Sequence, residues 1–590
     1  LLIASLTTAT AFLPFKLAKA EAGEYTGVLF TVVTIALLSS WLLSLTMTPL
    51  LCVRFMKVPT WKDEAADSRL YRAYRRLLLL LLRHRPVSLL TVAALFALAL
   101  VGFKVLPNMF FPKADRAFLM ARLTLPAGSD ISATDEVVRL FEQKLASMRA
   151  DADRDEGHGV TSWASFVGSG EPRFILNVNA KKQNSASAFL LINVTSYPAV
   201  NPTIRELRDF ADRRFPDVVA SIDKSDLGPP VEKPVQVRIL GPDPERLFEY
   251  VDQVKRELRD VPGSRNVMDD WGQRTKKLRI DIDQPRARRA GVSSADVAIS
   301  LQTLLDGLPT TEFRQEEETI PIVLRSVEAD RSDIGKLESL NVFSQATGRS
   351  VPLLQVADVE VEWEPSKIFR RNRVRTATVS ADIAPGLTAS EVETPLYAWL
   401  ERASTDWAPG YFFQRGGEIE ESSKSRRAIA RQIPLAVGII VLLLIGQFNS
   451  LRRGAIVMLT IPLGLIGVVG GLLLLGSYLG FMTLLGIVSL SGILINNAIV
   501  LIDRIDLEQK ENGHGPAQAI VEAAQRRLRP ILMTTATTIL GLVPLYVGGG
   551  PMWEPMAVAI IFGLLFATVL TLGVVPILYS LFFRVSFKER

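Results

Sequence analysis

The sequence predicts a polytopic α-helical membrane protein with a large extracytoplasmic α/β region built from ferredoxin-like βαβ units. Long apolar runs flank one polar block at residues 107–431, which is typical of a membrane protein with a soluble domain. Lys and Arg residues concentrate in alternate connections between the apolar runs, which indicates a single topology. Strand and helix patterns alternate within the polar block, as they do in layered α/β domains.

The composition narrows the function classes. The 590 residues are 48% hydrophobic and 22% charged, and the formal net charge is only +6, so a nucleic-acid partner is not indicated. The single cysteine, Cys52, excludes an intramolecular disulfide framework and a cysteine-cluster metal site. The histidines His84, His158 and His514 are scattered through polar sequence. We therefore expect neither a bound metal nor a cofactor.

The first part of the chain predicts three membrane helices and a basic loop. Residues 1–15 are too short for a complete span and predict a truncated helix, so we expect the chain to be the C-terminal part of a longer protein. Spans follow at residues 28–53 and 87–106. Between Arg54 and Arg85 there are nine Lys or Arg, against two between Phe15 and Gly27, so the loop at residues 54–86 is expected in the cytoplasm. Tyr71 and Tyr74 recur at helical spacing there, predicting an amphipathic helix at the lipid surface.

The polar block predicts a repeated strand–helix pattern with an insertion. Residues 107–275 and 362–431 alternate strands with helices in the same style. Residues 276–361 follow a different pattern, with alternating strands around one helix. We therefore expect the segment 276–361 to be a smaller unit inserted into an extracytoplasmic α/β region.

The C-terminal part, residues 432–583, predicts five further membrane helices and a cytoplasmic tail at residues 584–590. The spans are expected near 433–448, 455–474, 481–502, 531–547 and 557–582. Basic residues at 452–453, 504–529 and 584–588 all fall on the side of the basic loop 54–86. The predicted topology is therefore self-consistent.

Two of these spans contain polar residues, which are costly within a bilayer. Asn496 and Asn497 lie in the third span, with Asn496 seven residues before Asp503, and four threonines between Thr534 and Thr538 open the fourth. Such residues usually face a bundle interior or an ion pathway. Small polar residues also pack helices together, so a purely structural role is the alternative.

These motifs resemble the penultimate pair of helices in resistance-nodulation-division efflux permeases of the hydrophobe/amphiphile type. The resemblance rests on N-A-I-V-L-I-D at 497–503, R-R-L-R-P-I-L-M-T-T at 526–535 and G-L-V-P-L at 541–545. Further matching segments are T-M-T-P-L-L-C, F-F-P-K-A-D, L-P-A-G and I-D-I-D-Q, spread over most of the chain.

The resemblance implies a role for several segments and residues. Residues 107–275 and 362–431 correspond to porter subdomains, whose cleft admits substrate, and 276–361 to a docking subdomain. Asn496, Asn497, Arg527 and Thr534 correspond to a proton relay, which works with an acidic pair in a helix expected to precede residue 1. Proton-driven relatives usually have lysine where this chain has Asn496. Asparagine cannot take up a proton, so the usual form of the relay is in question.

An enzyme is not expected. Gly168 and Gly170 follow no strand–helix phosphate loop, and the sequence has no GKS or GKT motif. Asp281 and Asp283 alternate on a predicted strand, which favours a solvated face over an acid/base pair. Methionines in the polar block do not form the clusters expected of a soft-metal exporter. Energy is therefore expected from an ion gradient acting on polar groups within the membrane.

Two function classes remain open. The first is an inner-membrane secondary transporter of a Gram-negative bacterium that exports drugs or other amphiphilic compounds by proton antiport. By resemblance it would be a homotrimer joined to a periplasmic adaptor and an outer-membrane channel. The second is a related lipid or protein translocation subunit. The inserted segment favours the first class, because a docking element is needed only where a pump meets a tunnel. A sensory receptor would explain neither the intramembrane polar residues nor the number of spans.

Overall fold

The computed structural model describes residues 2–56, 69–149, 159–174, 178, 180, 182–229, 231–272, 274–325 and 340–587. Parts of the predicted cytoplasmic segments, residues 57–68 and 588–590, lie outside the described residues. The chain forms two compact units. The first comprises Leu1–Asp270 and Phe369–Arg590, and the second comprises Trp271–Ile368, whereas the sequence predicts an insert at 276–361.

The N-terminal helices include two long apolar ones. The segment predicted as a truncated span forms two short helices, of which the first packs against later membrane helices through buried Ala4 and Thr7. The helix that corresponds to the predicted span 28–53 begins earlier and is largely exposed along its length. The five helices are α1 (Leu2–Ala11), α2 (Leu13–Leu17), α3 (Glu21–Phe55), α4 (Arg69–Arg83) and α5 (Arg85–Val105).

The polar block contains short strands and helices in the alternating pattern that the sequence predicts. In chain order these are β1 (Phe118–Thr124), α6 (Ile131–Ser147), β2 (Val160–Val167), β3 (Ser187–Val194), α7 (Tyr197–Arg214), β4 (Val219–Asp223), β5 (Val235–Leu240), α8 (Pro244–Asp260), β6 (Ser264–Asp269), β7 (Arg274–Ile282), α9 (Gln284–Ala290), α10 (Ser294–Leu305), β8 (Leu308–Gln315), β9 (Glu318–Leu324), β10 (Asn341–Phe343), β11 (Ser350–Pro352), β12 (Ala357–Pro365), β13 (Arg370–Arg371), β14 (Val374–Ile383), α11 (Ala389–Ala403) and β15 (Phe412–Arg415).

The first subdomain is a four-stranded antiparallel sheet in the order β2-β3-β1-β4. Helix α6 follows β1 and α7 follows β3, so the element order is βαββαβ. Apolar residues at helical spacing, including Phe141, Leu145 and Leu207, are fully buried against Leu190 and Ile192 of the sheet. The alternation of buried residues along β1 and β3 thus supplies one face of a continuous core.

The second subdomain is a five-stranded sheet in the order β13-β14-β5-β15, with β6 also paired to β14. Helix α8 buries Leu247, Val251, Val254 and Leu258, a spacing that forms one helix face. Strands β5 and β6 precede the second unit in the chain, and β14 and β15 follow it. The sheet is therefore completed by residues that lie about a hundred positions apart in sequence.

The second unit has its own small core. Strands β7 and β12 pair antiparallel over nine residues, from Arg274 opposite Pro365 to Ile282 opposite Ala357. Helix α10 begins with a capping box in which Ser293 and Asp296 exchange side-chain-to-backbone hydrogen bonds. Buried Val297, Val342 and Leu353 join the helix to the short strands. Strands β8 and β9 form a separate hairpin whose side chains are almost all exposed.

The C-terminal part is helical and mostly apolar. Its helices are α12 (Gly417–Ala430), α13 (Ile433–Phe448), α14 (Leu451–Thr460), α15 (Gly464–Leu474), α16 (Phe481–Lys510), α17 (Pro516–Gly548) and α18 (Gly550–Phe582). Within the described residues, seven helical segments are long and apolar enough to cross a membrane: Thr26–Phe55, Arg85–Val105, Gly417–Phe448, Leu451–Leu474, Phe481–Lys510, Pro516–Gly548 and Gly550–Phe582.

Small residues bring α15 and α18 close together. A β-carbon at Gly467 would overlap the Phe562 carbonyl oxygen, and one at Gly471 would overlap the Phe562 ring. Such close approach of helix backbones is how small residues stabilise helix pairs in lipid. Helices α15, α16 and α18 therefore form the buried centre of the bundle, while α3, α5 and α17 lie at its periphery.

The predicted loop from Arg504 to Arg529 is wrong. Helix α16 continues to Lys510 and α17 already begins at Pro516, so the connection is only residues 511–515. Hydropathy detects the apolar part of a helix and misses polar turns that extend beyond the lipid. The segment after Pro516 is rich in Ala, Glu, Gln and Arg, which are strong helix formers.

Candidate functional site

The four residues predicted as a relay lie on α16 and α17 within the membrane-spanning part. Asn496 and Asn497 are half-buried on α16, and Arg527 is half-buried on α17, about three turns beyond Pro516. Asn496 Oδ1 and Arg527 Nε are buried and find no hydrogen-bond partner among the described residues. No hydrogen bond joins any two of the four side chains in the described part of the chain.

Thr534 is exposed, and its hydroxyl donates to the carbonyl oxygen of Ile531 in its own helix, at 2.9 Å. The next residue, Thr535, turns inward instead. It shares a 2.7 Å hydrogen bond with Thr568 of α18, and both side chains are buried. Sequence reasoning missed this pair, because the helical phase of the threonine run is fixed only by packing against α18.

Charged residues gather near the C-terminal end of α16 and the N-terminal end of α17. Arg453 lies 2.8 Å from Asp506, and both side chains are mostly buried. The fully buried Glu508 pairs with Arg504 at 2.6 Å and with Arg526 of α17 at 3.3 Å. The Glu508–Arg526 contact joins α16 to α17, and the Arg453–Asp506 pair joins α14 to α16. The resemblance selected Arg527 for the relay, but the contact that Arg526 makes with Glu508 was not predicted from the sequence.

A cavity of about 610 Å³ lies where the polar block meets the ends of the membrane helices. Phe110 and Phe111, shortly after α5, form part of its wall, together with Tyr478 from the connection before α16 and Pro551 from the first turn of α18. Other apolar wall residues come from helices, strand ends and connections of both subdomains: Ile204, Leu227, Pro229, Val231, Pro234, Ile383, Ala384, Pro385, Leu387 and Ala389. A mostly apolar concave site of this size fits a small molecule.

The charged residues of the cavity are largely paired with one another. Lys113 lies 2.6 Å from Asp226, and Arg208 lies 2.9 Å from Asp223. Glu418, at the start of α12, accepts a 2.6 Å hydrogen bond from the backbone N–H of Phe110. The cavity thus combines apolar surface with a few fixed charges, and its wall joins the two sheets to the helix that enters the membrane.

The two sheets are joined beside this cavity by a buried network, the sheet joint, formed by Asp382, Lys233, Asn266 and Ser221. Asp382, at a β-bulge of β14, accepts hydrogen bonds from Lys233 at 2.7 and 2.8 Å, from Asn266 at 2.9 Å and from Ser221 at 3.1 Å. Burial disfavours the charged carboxylate, but Lys233 and the other donors outweigh it and hold the pKa of Asp382 below its usual range.

Glu393 of α11 differs from Asp382, although it also lies in the polar block. Its side chain is fully buried, one turn beyond the cavity residue Ala389, and neither carboxylate oxygen has a hydrogen-bond partner among the described residues. Burial, reinforced by the neighbouring Glu418, raises the pKa of Glu393 to about 9. Glu393 is therefore neutral at pH 7. Its place beneath α12 could not be predicted from sequence.

Among the described residues, no group of three or more His, Cys, Asp or Glu side chains is placed to hold a metal ion.

Comparisons with known proteins agree on one family. A sequence profile described as the AcrB/AcrD/AcrF family matches residues 1–583. The chain is 25% identical over 578 residues to a Haemophilus influenzae protein named an uncharacterized transporter, covering 95% of this chain and 54% of that protein. It is also 25% identical over 609 residues to the cobalt-zinc-cadmium resistance protein CzcA of Cupriavidus metallidurans, covering 99% of this chain and 55% of that protein.

Solved structures with similar folds include two crystal forms of a heavy metal efflux pump. One superposes with a TM-score of 0.76 at 21% identity, covering 98% of this chain and 57% of that chain. The other gives a TM-score of 0.75 at 20% identity, covering 99% of this chain and 58% of that chain. The chain thus spans somewhat more than half the length of the relatives it matches. Because the family profile covers nearly all of it, the chain belongs to the AcrB/AcrD/AcrF family of resistance-nodulation-division permeases.

Proposed function

We propose that the full-length protein is a secondary efflux transporter that exports an amphiphilic compound through the cavity at the extracytoplasmic helix ends. The cavity is the observation that supports this most directly. It has room for a small molecule, an apolar wall that includes Phe110, Phe111 and Leu227, and charges that are already paired. A molecule partitioned into the outer half of the bilayer would reach it at the level of Tyr478 and Pro551.

A divalent metal cation is the second candidate substrate. The name of one relative concerns cobalt, zinc and cadmium, and the solved structures are of a heavy metal efflux pump. The scarcity of methionines bears only on soft ions, because zinc and cobalt are bound by nitrogen and oxygen ligands. The cavity carboxylates Asp223, Asp226 and Glu418 are the groups that such an ion would meet.

Transport by the full-length protein in proteoliposomes separates the two substrates. A Leu227→Trp variant fills the cavity, and Leu354→Trp, at an exposed position of the second unit, is the matched control. We expect Leu227→Trp to reduce export of a fluorescent amphiphilic dye at least about tenfold, equivalent to about 1.4 kcal/mol. Zinc export without dye export in the wild type would favour the metal. Unchanged dye export in Leu227→Trp would contradict the proposed cavity.

We further propose that Asn496, Asn497, Arg527 and Thr534 line the ion pathway that energises export. Buried polar groups without partners are costly in a bilayer, so Asn496 Oδ1 and Arg527 Nε require contacts from water, an ion or another helix. Asparagine does not titrate, so Asn496 cannot itself carry a proton. Proton coupling through these four residues would therefore use acidic partners from outside this chain.

Localisation and assembly complete the proposal. The family and the spans support a multi-pass protein of the Gram-negative inner membrane, with residues 107–431 in the periplasm. There the homotrimer would join a periplasmic adaptor and an outer-membrane channel. An Ala346→Cys variant should react with a membrane-impermeant thiol reagent in intact cells, and native mass spectrometry of the full-length protein should show a trimer. A related lipid or protein translocation subunit, the alternative, would transport neither dye nor metal ions.

A further inference from the structure

Helix α4 has three distinct sides, which follow from its sequence at about 100° per residue. Tyr71, Tyr74, Leu78 and Leu82 fall within about 80° of one another on the first side. Leu70, Leu77 and Leu80 share a second side. Arginines occupy most of the third, with no acidic residue anywhere in the helix: Arg69, Arg72, Arg76 and Arg83, with Arg75 nearby.

The first side docks α4 onto the membrane bundle. The Tyr74 hydroxyl donates a 3.0 Å hydrogen bond to the carbonyl oxygen of Leu572 in α18. Leu78 and Leu82 are at most 1% exposed within the bundle core. Tyr71 and Tyr74 also pack against Leu528 and Ile531 of α17, adjacent to Arg527 in sequence. These contacts fix which sides of α4 remain free.

The C-terminal end of α4 is held as well. Arg85, the first residue of α5, donates a 2.6 Å hydrogen bond from Nη2 to the carbonyl oxygen of Val585. Its guanidinium also lies 5.3 Å from the centre of the Phe587 ring. Helix α4 is therefore tied at one end to the chain after α18 and along its length to α17 and α18.

The two free sides have opposite character. Leu70, Leu77 and Leu80 are 58%, 52% and 57% exposed. A helix side that faces only water usually has polar residues instead. Arg69 and Arg76 are exposed beside them, and Arg75 is exposed farther round the helix, next to the docked side. The excess of arginine over acid is what topology requires of a cytoplasmic loop. Membrane topology explains the arginines but not the exposed leucines beside them. The leucine side therefore needs a separate explanation.

We propose that α4 is a binding surface for anionic phospholipids of the cytoplasmic leaflet. Phosphate groups would pair with Arg69, Arg75 and Arg76, while Leu70, Leu77 and Leu80 contact the acyl chains. An acidic protein or a nucleic acid would match the arginines and leave the leucines in water. Only a partner with an anionic surface above an apolar layer satisfies both sides.

This surface gives lipid composition a route to the membrane helices. Bound anionic lipid holds α4 against Leu528 and Ile531, and so favours one position of α17. The inference does not depend on the substrate or on the coupling ion, and it is tested by lipid binding rather than transport.

The test uses the full-length protein in mild detergent and the probes phosphatidylglycerol and phosphatidylcholine. Native mass spectrometry counts retained lipids, and thermal unfolding measures the stabilisation by each lipid. An arginine near an anionic surface contributes about fivefold in affinity, so Arg69→Gln/Arg75→Gln/Arg76→Gln should weaken phosphatidylglycerol binding by about a hundredfold. Raising the salt concentration should weaken binding to the wild type, because exposed charges are screened.

Two further variants keep the result unambiguous. Replacement of Arg214, Arg256 and Arg259, exposed on α7 and α8, by glutamine removes the same charge elsewhere and should leave phosphatidylglycerol binding unchanged. The Arg69→Lys/Arg75→Lys/Arg76→Lys variant, which keeps the charges, should retain most of the phosphatidylglycerol binding. Equal retention of both lipids by the wild type, or equal phosphatidylglycerol retention by the triple glutamine variant, would overturn the proposal. If the glutamine variant fails to fold, the salt dependence of the wild type and the lysine variant decide.

Discussion

Buried polar groups have hydrogen-bond partners at the sheet joint, whereas two buried polar atoms in the membrane helices have none among the described residues. At the joint, three side chains donate to Asp382 and leave its carboxylate fully partnered. In the membrane, Asn496 Oδ1 and Arg527 Nε are equally buried and have no partner within the described residues. A satisfied network fixes one geometry, because each broken contact leaves a desolvated group. An unsatisfied group is stable only where a partner arrives from elsewhere.

Glu393 shows that buried polar groups without hydrogen-bond partners among the described residues also occur in the soluble region. It lies in the soluble block, one turn from a cavity residue, and is as unpartnered as Asn496. Glu393 stays protonated because its pKa is raised, whereas Asp382 stays charged because its pKa is lowered. Of these groups, Glu393 lies beside the cavity, Asn496 and Arg527 lie in the proposed ion pathway, and the partnered Asp382 lies where the two sheets meet.

The largest expected effect comes from removing the membrane arginine. We expect Arg527→Ala to reduce gradient-driven export by the full-length protein to the level of empty liposomes, because a charge within the bundle is costly and retained only for function. The melting temperature should change little, since the lost side chain makes no hydrogen bond from Nε. The matched control is Arg529→Ala, an exposed residue on the same helix. Full activity in Arg527→Ala would refute its assignment.

The Asn496→Lys variant tests whether proton coupling needs a titratable side chain at this position in the membrane. If a titratable group at this position is what proton coupling needs, the lysine should strengthen the dependence of export on an imposed pH gradient. If Asn496 suits a different arrangement, the substitution should damage transport at every gradient. Rates measured against gradient size distinguish these two outcomes.

Breaking the sheet joint should have the next largest effect. Lys233→Met leaves a buried carboxylate without its cation and should destabilise the protein by about 3–5 kcal/mol, measured by thermal unfolding. Lys277→Met breaks an exposed pair with Glu364 and should cost no more than about 1 kcal/mol. The double variant Lys233→Met/Asp382→Leu should recover much of the loss. A Lys233→Met variant as stable as Lys277→Met would contradict the account of the joint.

The pH dependence of the joint follows from the lowered pKa of Asp382. Its stabilising contribution is complete above the unfolded-state pKa of about 3.9 and is lost as pH falls through the lower folded-state value. Lys233→Met should remove this acid-side dependence, so the two proteins should converge in stability as the pH is lowered.

Glu393→Gln should change the pH dependence of stability in the opposite direction. The folded protein keeps Glu393 protonated while the unfolded chain ionises it, so stability falls between the unfolded pKa of about 4.3 and the folded value. The folded value is about 9. The slope for one such group is about −1.4 kcal/mol per pH unit. Glutamine removes this slope, and Glu401→Gln, exposed on the same helix, should not. Identical pH profiles for the wild type and Glu393→Gln would show that Glu393 is ionised.

The family and the broad architecture were accessible from the sequence because they depend on patterns within short windows. Apolar runs and basic connections predicted the membrane helices, and the alternation of strand and helix predicted the α/β block. The positions of helix ends were not accessible to hydropathy. Lys510 and Pro516 end and begin helices in polar sequence, where capping and helix propensity outweigh apolar content.

The candidate sites were predicted only where a local motif exists. Arg527 belongs to one short family motif and Asn496 directly precedes another, so the resemblance identified both. The cavity brings together Phe110, Glu418 and Pro551, which are hundreds of residues apart, and no local pattern links them. Thr535 and Thr568 pair across two helices for the same reason. The amphiphile prediction stays a proposal, since the named relatives point to metal ions.

Export by the full-length wild type under an imposed pH gradient tests the central claim most directly. Proteoliposomes containing the protein and an amphiphilic dye are given an inward or outward proton gradient, and dye movement is followed beside vesicles with Arg527→Ala. The account predicts dye movement opposite to proton flow in the wild type, reversed when the gradient is reversed and absent from the variant. Dye movement that ignores the direction and size of the gradient would contradict it.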